Sequence, residues 1–510
     1  MNNNPSTIVI GAGIGGLTTA ALLLKAGHDV TVLEAHLYPG GSAGTFYHKK
    51  FRFDAGATLA GGFAAGGPHA QLAEILDLEW PIHPIDPAWV VHLPNGRSVT
   101  QWANAAQWEG EYQEHFPETG AFWRKQKLLA NVSWDISTRP FPWPPQSLKD
   151  LSTLAAALRP QTFKATPYLF RKIDDLHNSD DPLFRAFLDS QLLISAQTTS
   201  KYASALYGSA ALDLPRRGVN HVQGGMGALA DTLVKWIQQN GGRVLFRQMV
   251  TDIELKNGHA TAVITKKGAH FAADQIIANM TPWGLNNILG EDAPNSLQQR
   301  VQNLQPTWGA FTLYLGLDSH KLPSGIPDHH QIIEDHTRPL GEGNSVFASL
   351  SDKDDARRAP QGMRAATLST HTAVSPWWQL RNSNNKAAYL EKRDQYVERL
   401  LAAAEQAIPG IRNAITLCLP GTPVTFEFYT KRPFGMVGGF AQTSIFAANG
   451  SKTGIPNVWL VGDSIFPGQS TAGVTLGGMR VAHDVLAETA VHKKSWSKQA
   501  LHIKPIQKNV

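Results

Sequence analysis

This 510-residue chain holds a single cysteine, Cys418, which excludes an internal disulfide framework, a Cys-x-x-Cys redox pair and a multi-cysteine zinc site. Cys418 is expected to be a packed core residue. No run approaches the ~18 uninterrupted apolar residues of a membrane span. The N-terminus lacks the basic-then-apolar layout of a secretory signal, since Lys25 is its first cationic side chain, and the chain is expected on the cytosolic side. Charged residues are sparse at 17%, and the net charge of +5 is spread thinly except in the tail, where Lys493, Lys494, Lys498, Lys504 and Lys508 gather around Trp496. Nucleic-acid binding is not indicated. The tail reads as a solvated terminus, with contact to an anionic lipid surface as the alternative. Repeats and low-complexity tracts are absent. The length exceeds the roughly 250–300 residues of a single core, so about two domains are expected.

Against these absences the first thirty-five residues are dense with signal. An apolar run, Thr7 to Ile10, feeds Gly11-Ala12-Gly13-Ile14-Gly15-Gly16, a helical pattern from Leu17 to Ala26, and Val30-Thr31-Val32-Leu33-Glu34. Strand, glycines, helix, strand and acid in this order make a dinucleotide-binding βαβ unit. Gly11 permits the tight turn, Gly13 lets backbone N–H groups approach a pyrophosphate, Gly16 allows close helix packing, and Glu34 offers a ribose hydroxyl an acceptor. Near the other end, Asn457 to Asp463 reads as a buried strand delivering a second acid, followed by Gly468, Gly473 and Gly477-Gly478. An acid reaching a sugar-alcohol chain from a distant segment suits the ribityl group of FAD better than a nicotinamide. The helix start near Gly473 places N–H groups where negative charge develops on a reduced flavin ring. The candidate cofactor-binding set read from these motifs is Gly11, Gly13, Gly15, Gly16, Glu34, Gly41, Gly462, Asp463 and Gly473.

The pieces are interleaved, in an α/β fold whose Rossmann-like nucleotide-binding part alternates with an α+β substrate-binding part. Residues 1–78, 220–288 and 439–490 are assigned to the first, 79–219 and 289–438 to the second, and 491–510 to the basic tail. Within the first, Gly-dense turns run through Pro39 to Thr45 and Phe51 to Thr58, and the turn before Leu229 opens a helix to Gln239. Strand-like pieces then follow at Arg243 to Phe246, Val250 to Ile253, Ala260 to Ile264 and Asp274 to Asn279, as a sheet extension with a β-meander. The second part opens with Trp80, Trp89, Trp102, Trp108, Trp123, Trp134 and Trp143, read as a substrate-binding insertion, or equally as interface packing. Helical patterns cover Leu151–Leu158, Leu183–Leu193 and Lys386–Ile408, and a strand covers Ala310–Leu315. His329-His330 beside Pro327 reads as a surface turn, and no metal site is expected.

In Gly11 to Glu34, Gly40-Gly41, Phe53-Asp54-Ala55-Gly56-Ala57-Thr58, Gln223-Gly224-Gly225-Met226 and Trp459 to Gly468, the chain resembles the flavin amine oxidase and phytoene desaturase superfamily. Within it the resemblance is to the carotenoid desaturase and isomerase branch. By Asp54 to Thr58, Asn457 to Asp463 and Ser470 to Val474 it is most similar to the cyanobacterial-type carotenoid 3',4'-desaturases. The resemblance implies FAD held at Gly11, Gly13, Gly16, Glu34 and Asp463, with the Val250 backbone beside the adenine, Val474 in the same cofactor-binding set and an apolar tunnel leading to the flavin. Many relatives carry a basic residue after the glycine pair, where this chain has Ser42, so no cationic contact to the pyrophosphate is expected from that loop. The implied reaction removes two hydrogens from adjacent carbons beside a conjugated polyene, with oxygen or a quinone as final acceptor. No catalytic acid or base stands out. A carotenoid substrate implies peripheral membrane contact. Rival readings are a carotenoid cis-trans isomerase, an amine oxidase with a site drawn from Trp377, Trp378 or Tyr429, and a prenyl-protein escort protein without flavin catalysis.

Overall fold

The computed structural model describes residues 4–139, 141–145, 147–303 and 308–489; the basic tail lies outside them. Its centre is a five-stranded parallel sheet in the order Arg243–Leu245, Asp29–Leu33, Ser6–Ile10, Gln275–Asn279, Val458–Val461. These strands are short apolar runs because a parallel sheet is covered on both faces. The helix Ile14–Lys25 is buried at every residue from Ile14 to Leu23, and packs against Gly227–Gln239 and Thr471–Thr489. It begins three residues before the expected Leu17. Gly15 and Gly16 are poor helix formers, but here close packing outweighs propensity. The meander is present as an antiparallel sheet of Val250–Lys256, His259–Thr265 and His270–Ala272.

The second large element is a seven-stranded mixed sheet in the order Ile415–Gly421, Trp308–Asp318, Met363–Ala373, Ser345–Leu350, His329–Ile333, Trp89–His92, Ser98–Gln101. The helix Lys386–Ala407 lies along it and closes a core around Phe311, Trp377 and Leu400. A helical layer, mainly Gly120–Ser137, Pro182–Ala196 and Ala205–Ala211, forms a third core. Much of the early tryptophan cluster is spent there: Trp123 meets Trp108, Phe122 and Phe184 edge to face. The α/β class with an interleaved α+β portion is therefore as expected. Among the described residues no helix is long and apolar enough to cross a membrane.

Two local expectations fail. His329 and His330 form no surface turn; they begin a fully buried strand that continues through Gln331 to Ile333. Proline at 327 ends the turn early, and both rings find partners inside: His329 Nδ1 with Ser349 Oγ at 2.8 Å, and His330 with His92 at 3.0 Å and the Pro327 carbonyl at 2.9 Å. Cys418 is exposed rather than packed in a core. It sits on the edge strand Ile415–Gly421, where the two-residue alternation turns Thr416 and Cys418 outward together.

Candidate active site

The chain turns from the first strand into the first helix through Gly11, whose φ of +93° is open to glycine at little cost. Its N–H donates to the Leu33 carbonyl at 2.8 Å, which ties the turn to the neighbouring strand. Gly16 serves a different need. A Cβ there would stand 2.7 Å from the Gly11 carbonyl oxygen and 2.8 Å from Asn279 Cβ, so the helix reaches this position only without a side chain. Gly13 is the N-cap, and no side chain caps the helix it opens. The first-turn N–H groups are thus left for an anion.

Three distant segments close on this turn. The Gly40 N–H donates to the Ala12 carbonyl at 2.7 Å, which brings the 39–45 turn over the first glycines and sets Gly41 beside Gly13. A Cβ on Gly15 would meet the Val474 carbonyl oxygen at 3.3 Å and Gly462 at 3.4 Å, so Gly15, Gly462 and Val474 share one spot. Asn279, at the end of its strand, donates from Nδ2 to the Gly11 carbonyl at 3.3 Å. Sequence reading placed Asn279 in a strand without assigning it to the site. Its signal is positional, since strand-end residues of a parallel sheet face the ligand crevice.

Glu34 follows the second strand, half-buried. Its Oε2 accepts from the Ala12 N–H and its Oε1 from the His36 N–H, both at 2.7 Å. These bonds aim the carboxylate across the glycine turn, and each oxygen keeps a lone pair for a ribose hydroxyl. Val250 is buried at the head of the meander, reached from the Glu34 strand through the Gln248 N–H to Glu34 carbonyl bond at 2.8 Å. Gly473 and Val474 differ from expectation in one respect. The Gly473 N–H donates to Ser470 Oγ at 3.0 Å and the Val474 N–H to the Ser470 carbonyl at 2.9 Å, so neither is a free donor at that helix start.

Asp463 stands just beyond the last strand of the sheet, and both its oxygens accept from Arg432 Nη1, at 2.9 and 3.1 Å. Arg432 is itself held by the carbonyls of Met436 at 3.0 Å and Gly438 at 2.5 Å. Nothing in the local sequence singled out Arg432, because its partner lies thirty-one residues away. A second ion pair is buried. Asp54 binds Arg358 at 2.8 Å and accepts from the Met226 N–H at 2.8 Å and Thr45 Oγ1 at 2.7 Å, while Thr45 Oγ1 accepts from the Gly227 N–H at 2.8 Å. The Asp54 and Gly224–Met226 motifs are therefore one clasp. Of the aromatics considered for an amine site, Trp377 is buried against Phe311 and Tyr396, whereas Tyr429 packs at the surface on His36 and Phe428. They do not form a common cage.

A glycine cradle that any Cβ would obstruct, an uncapped helix start and acids at two strand ends fit a dinucleotide in which a ribose and a second polyol chain both need acceptors. This defines a dinucleotide-binding α/β protein. A model of the flavin containing amine oxidoreductase family matches residues 14–486, and the chain belongs to that family. Its cofactor is FAD. The chain is 28% identical over 508 residues to prolycopene isomerase 1, chloroplastic, of an Oncidium hybrid cultivar, covering 96% of this chain and 85% of the relative. It is 26% identical to the lycopene-forming phytoene desaturase of a Paracoccus species, covering 95% and 98%. The solved cyclohexylamine oxidase of Brevibacterium oxydans has the same fold, with a TM-score of 0.60 at 16% identity over 96% of this chain and 99% of the other.

Proposed function

We propose that this chain is an FAD-dependent carotenoid desaturase that introduces a C=C bond, at C-3',4', into a monocyclic or acyclic carotenoid. The observation that carries the polyene reading is the end-to-end match to relatives named for polyene chemistry, in a chain whose nucleotide cradle is complete. Residues 1–78, 220–288 and 439–490 form the FAD-binding domain in this reading, and 79–219 and 289–438 the substrate-binding domain. The convergence of strands from all three of the former segments in the parallel sheet supports that division.

When bound, FAD supplies the acceptor for a hydride from the carbon next to the conjugated system, and the adjacent carbon loses a proton. The protein's part is positional. The turn Gly11 to Gly16 and the helix behind it would hold the pyrophosphate, Glu34 a ribose, Asp463 the ribityl chain and the Val250 backbone the adenine. Positive charge spreads over a polyene, so a weak base or water suffices for the proton, and rate rests on holding the carbon chain at reacting distance. The acceptor for the two electrons would be oxygen or a quinone.

The prolycopene isomerase relatives favour a second reading, cis-trans isomerisation without net oxidation. Expression in cells that accumulate γ-carotene, its hydroxylated derivative or lycopene separates the two, with pigments resolved by chromatography, absorption and mass. A red-shifted product lighter by two hydrogens establishes desaturation and names the substrate. An isomer of unchanged mass assigns isomerisation. No change in any pigment while flavin is bound returns the chain to amine oxidation.

A further inference from the structure

The segment from Leu148 to Lys172 is unlike the rest of the surface. Its helix Leu148–Ala157 has no buried residue. A helix of this length is marginal in water without a packing partner. Here its start is held by a capping box, Ser147 Oγ accepting from the Asp150 N–H at 3.1 Å and the Ser147 N–H donating to Asp150 Oδ2 at 3.0 Å. Its end is held by Arg139, which donates to the Ala157 carbonyl. What it presents outward is apolar. Leu148 is 86% exposed and Leu151, Leu158 and Phe163 are exposed with it, while Phe170 is 81% exposed at the far end.

The charge of this segment is equally one-sided. Residues 148–172 hold five cations, Lys149, Arg159, Lys164, Arg171 and Lys172, against one acid, Asp150, in a chain whose whole net charge is +5. Arg159 pairs with Asp135 at 3.4 Å and Lys172 donates to the Thr443 carbonyl at 2.7 Å. Lys149, Lys164 and Arg171 are exposed and enter no ion pair among the described residues. Exposed leucine and phenylalanine interleaved with unpaired cations suit a surface that is apolar inside and anionic at its rim, which is a bilayer containing acidic lipid.

The far end of this segment is joined to the neighbouring surface by aromatic contacts. Phe170 stacks on Phe446 with ring centroids 5.3 Å apart, Phe446 lies 6.3 Å from Trp143, and Trp143 lies 5.9 Å from Phe466. Phe466 is in the loop that begins at Asp463. We propose that residues 148–172 with Phe446 are the face by which this protein seats on an anionic lipid bilayer. The proposal does not rest on the polyene reading.

The test is co-flotation of the FAD-loaded full chain with vesicles of phosphatidylcholine alone or with 30% phosphatidylglycerol added, at low and high salt. Two variants are compared with the parent: L148S/L151S/F170S and K149Q/K164Q/R171Q. Retained flavin absorbance shows that each is folded. Binding of the parent to acidic vesicles is expected to exceed that to neutral ones, and to weaken by about two orders of magnitude in the charge variant. The apolar variant is expected to lose binding at both salts. Parent-like binding by both variants, or no binding by the parent, overturns the docking face; capture by a protein partner in place of vesicles does so too.

Discussion

Glu34 and Asp463 are both carboxylates at strand ends, yet their surroundings ask different things of them. Glu34 is aimed by two backbone N–H groups, so Glu34→Ala removes an acceptor for ribose and leaves the Ala12 and His36 donors unpaired. FAD affinity is expected to fall by about one to two orders of magnitude, from a lost hydrogen bond plus the cost of the orphaned groups. Titration of the apoprotein by flavin fluorescence checks this, and an unchanged Kd would show that Glu34 is not a ribose ligand. Asp463 instead has a cation on both oxygens. Arg432→Met leaves that acid without its partner in a half-buried site, and a loss of about 1–3 kcal/mol in stability is expected. The double variant with Asp463→Asn should recover part of that loss in urea unfolding, whereas strictly additive effects would mean the pair is not coupled.

At the level of elements, the meeting of the first and last helices governs the site. Gly478 allows the helix Thr471–Thr489 to approach Ile14–Lys25 so closely that a Cβ would lie 2.6 Å from the Gly15 carbonyl oxygen and 2.9 Å from Thr18 Cβ. Thr19 Oγ1 donates to the Gly478 carbonyl at 3.1 Å across the same seam. Gly478→Leu is expected to part the helices and to cost about 1–3 kcal/mol or more through overpacking. Because Gly15 also abuts Gly462 and Val474, flavin occupancy should fall together with the melting temperature. A lower melting temperature with full occupancy would show that the seam matters for stability alone. The βαβ punctuation of the first elements was readable from glycine spacing and apolar runs. The burial of His329-His330 was not, because two imidazoles after a proline carry no periodic signal, and only the facing Ser349 and His92 make their strand position affordable.

Across the whole molecule, acid sensitivity follows from buried neutral histidines. Burial pushes His69 and His329 down to about 3, and His330 and His371 to about 4. An unfolded histidine titrates near 6.5. Each folded value lies below the unfolded one, so the contribution to stability is complete above about pH 6.5 and is lost as pH falls towards 3–4. At pH 5 each such imidazole costs up to about 2 kcal/mol relative to pH 7.5. The urea midpoint is expected to drop markedly between those pH values, and His69→Phe should shrink the drop. Equal midpoints at both would show that these rings are protonated when folded.

The sequence by itself determined the βαβ opening, the second acid-bearing strand and the alternation of two kinds of segment, because glycine spacing and apolar periodicity are local properties that a linear chain displays. Tertiary structure alone decided which atoms those acids face. Arg432 meets Asp463, Arg358 meets Asp54 and Asn279 meets Gly11 across separations of 31, 304 and 268 residues, and such pairings leave no trace in spacing. It also decided that Leu148, Leu151 and Phe170 stay outside. A hydrophobic residue is read as core from sequence, and its exposure among the described residues shows only once the chain is folded.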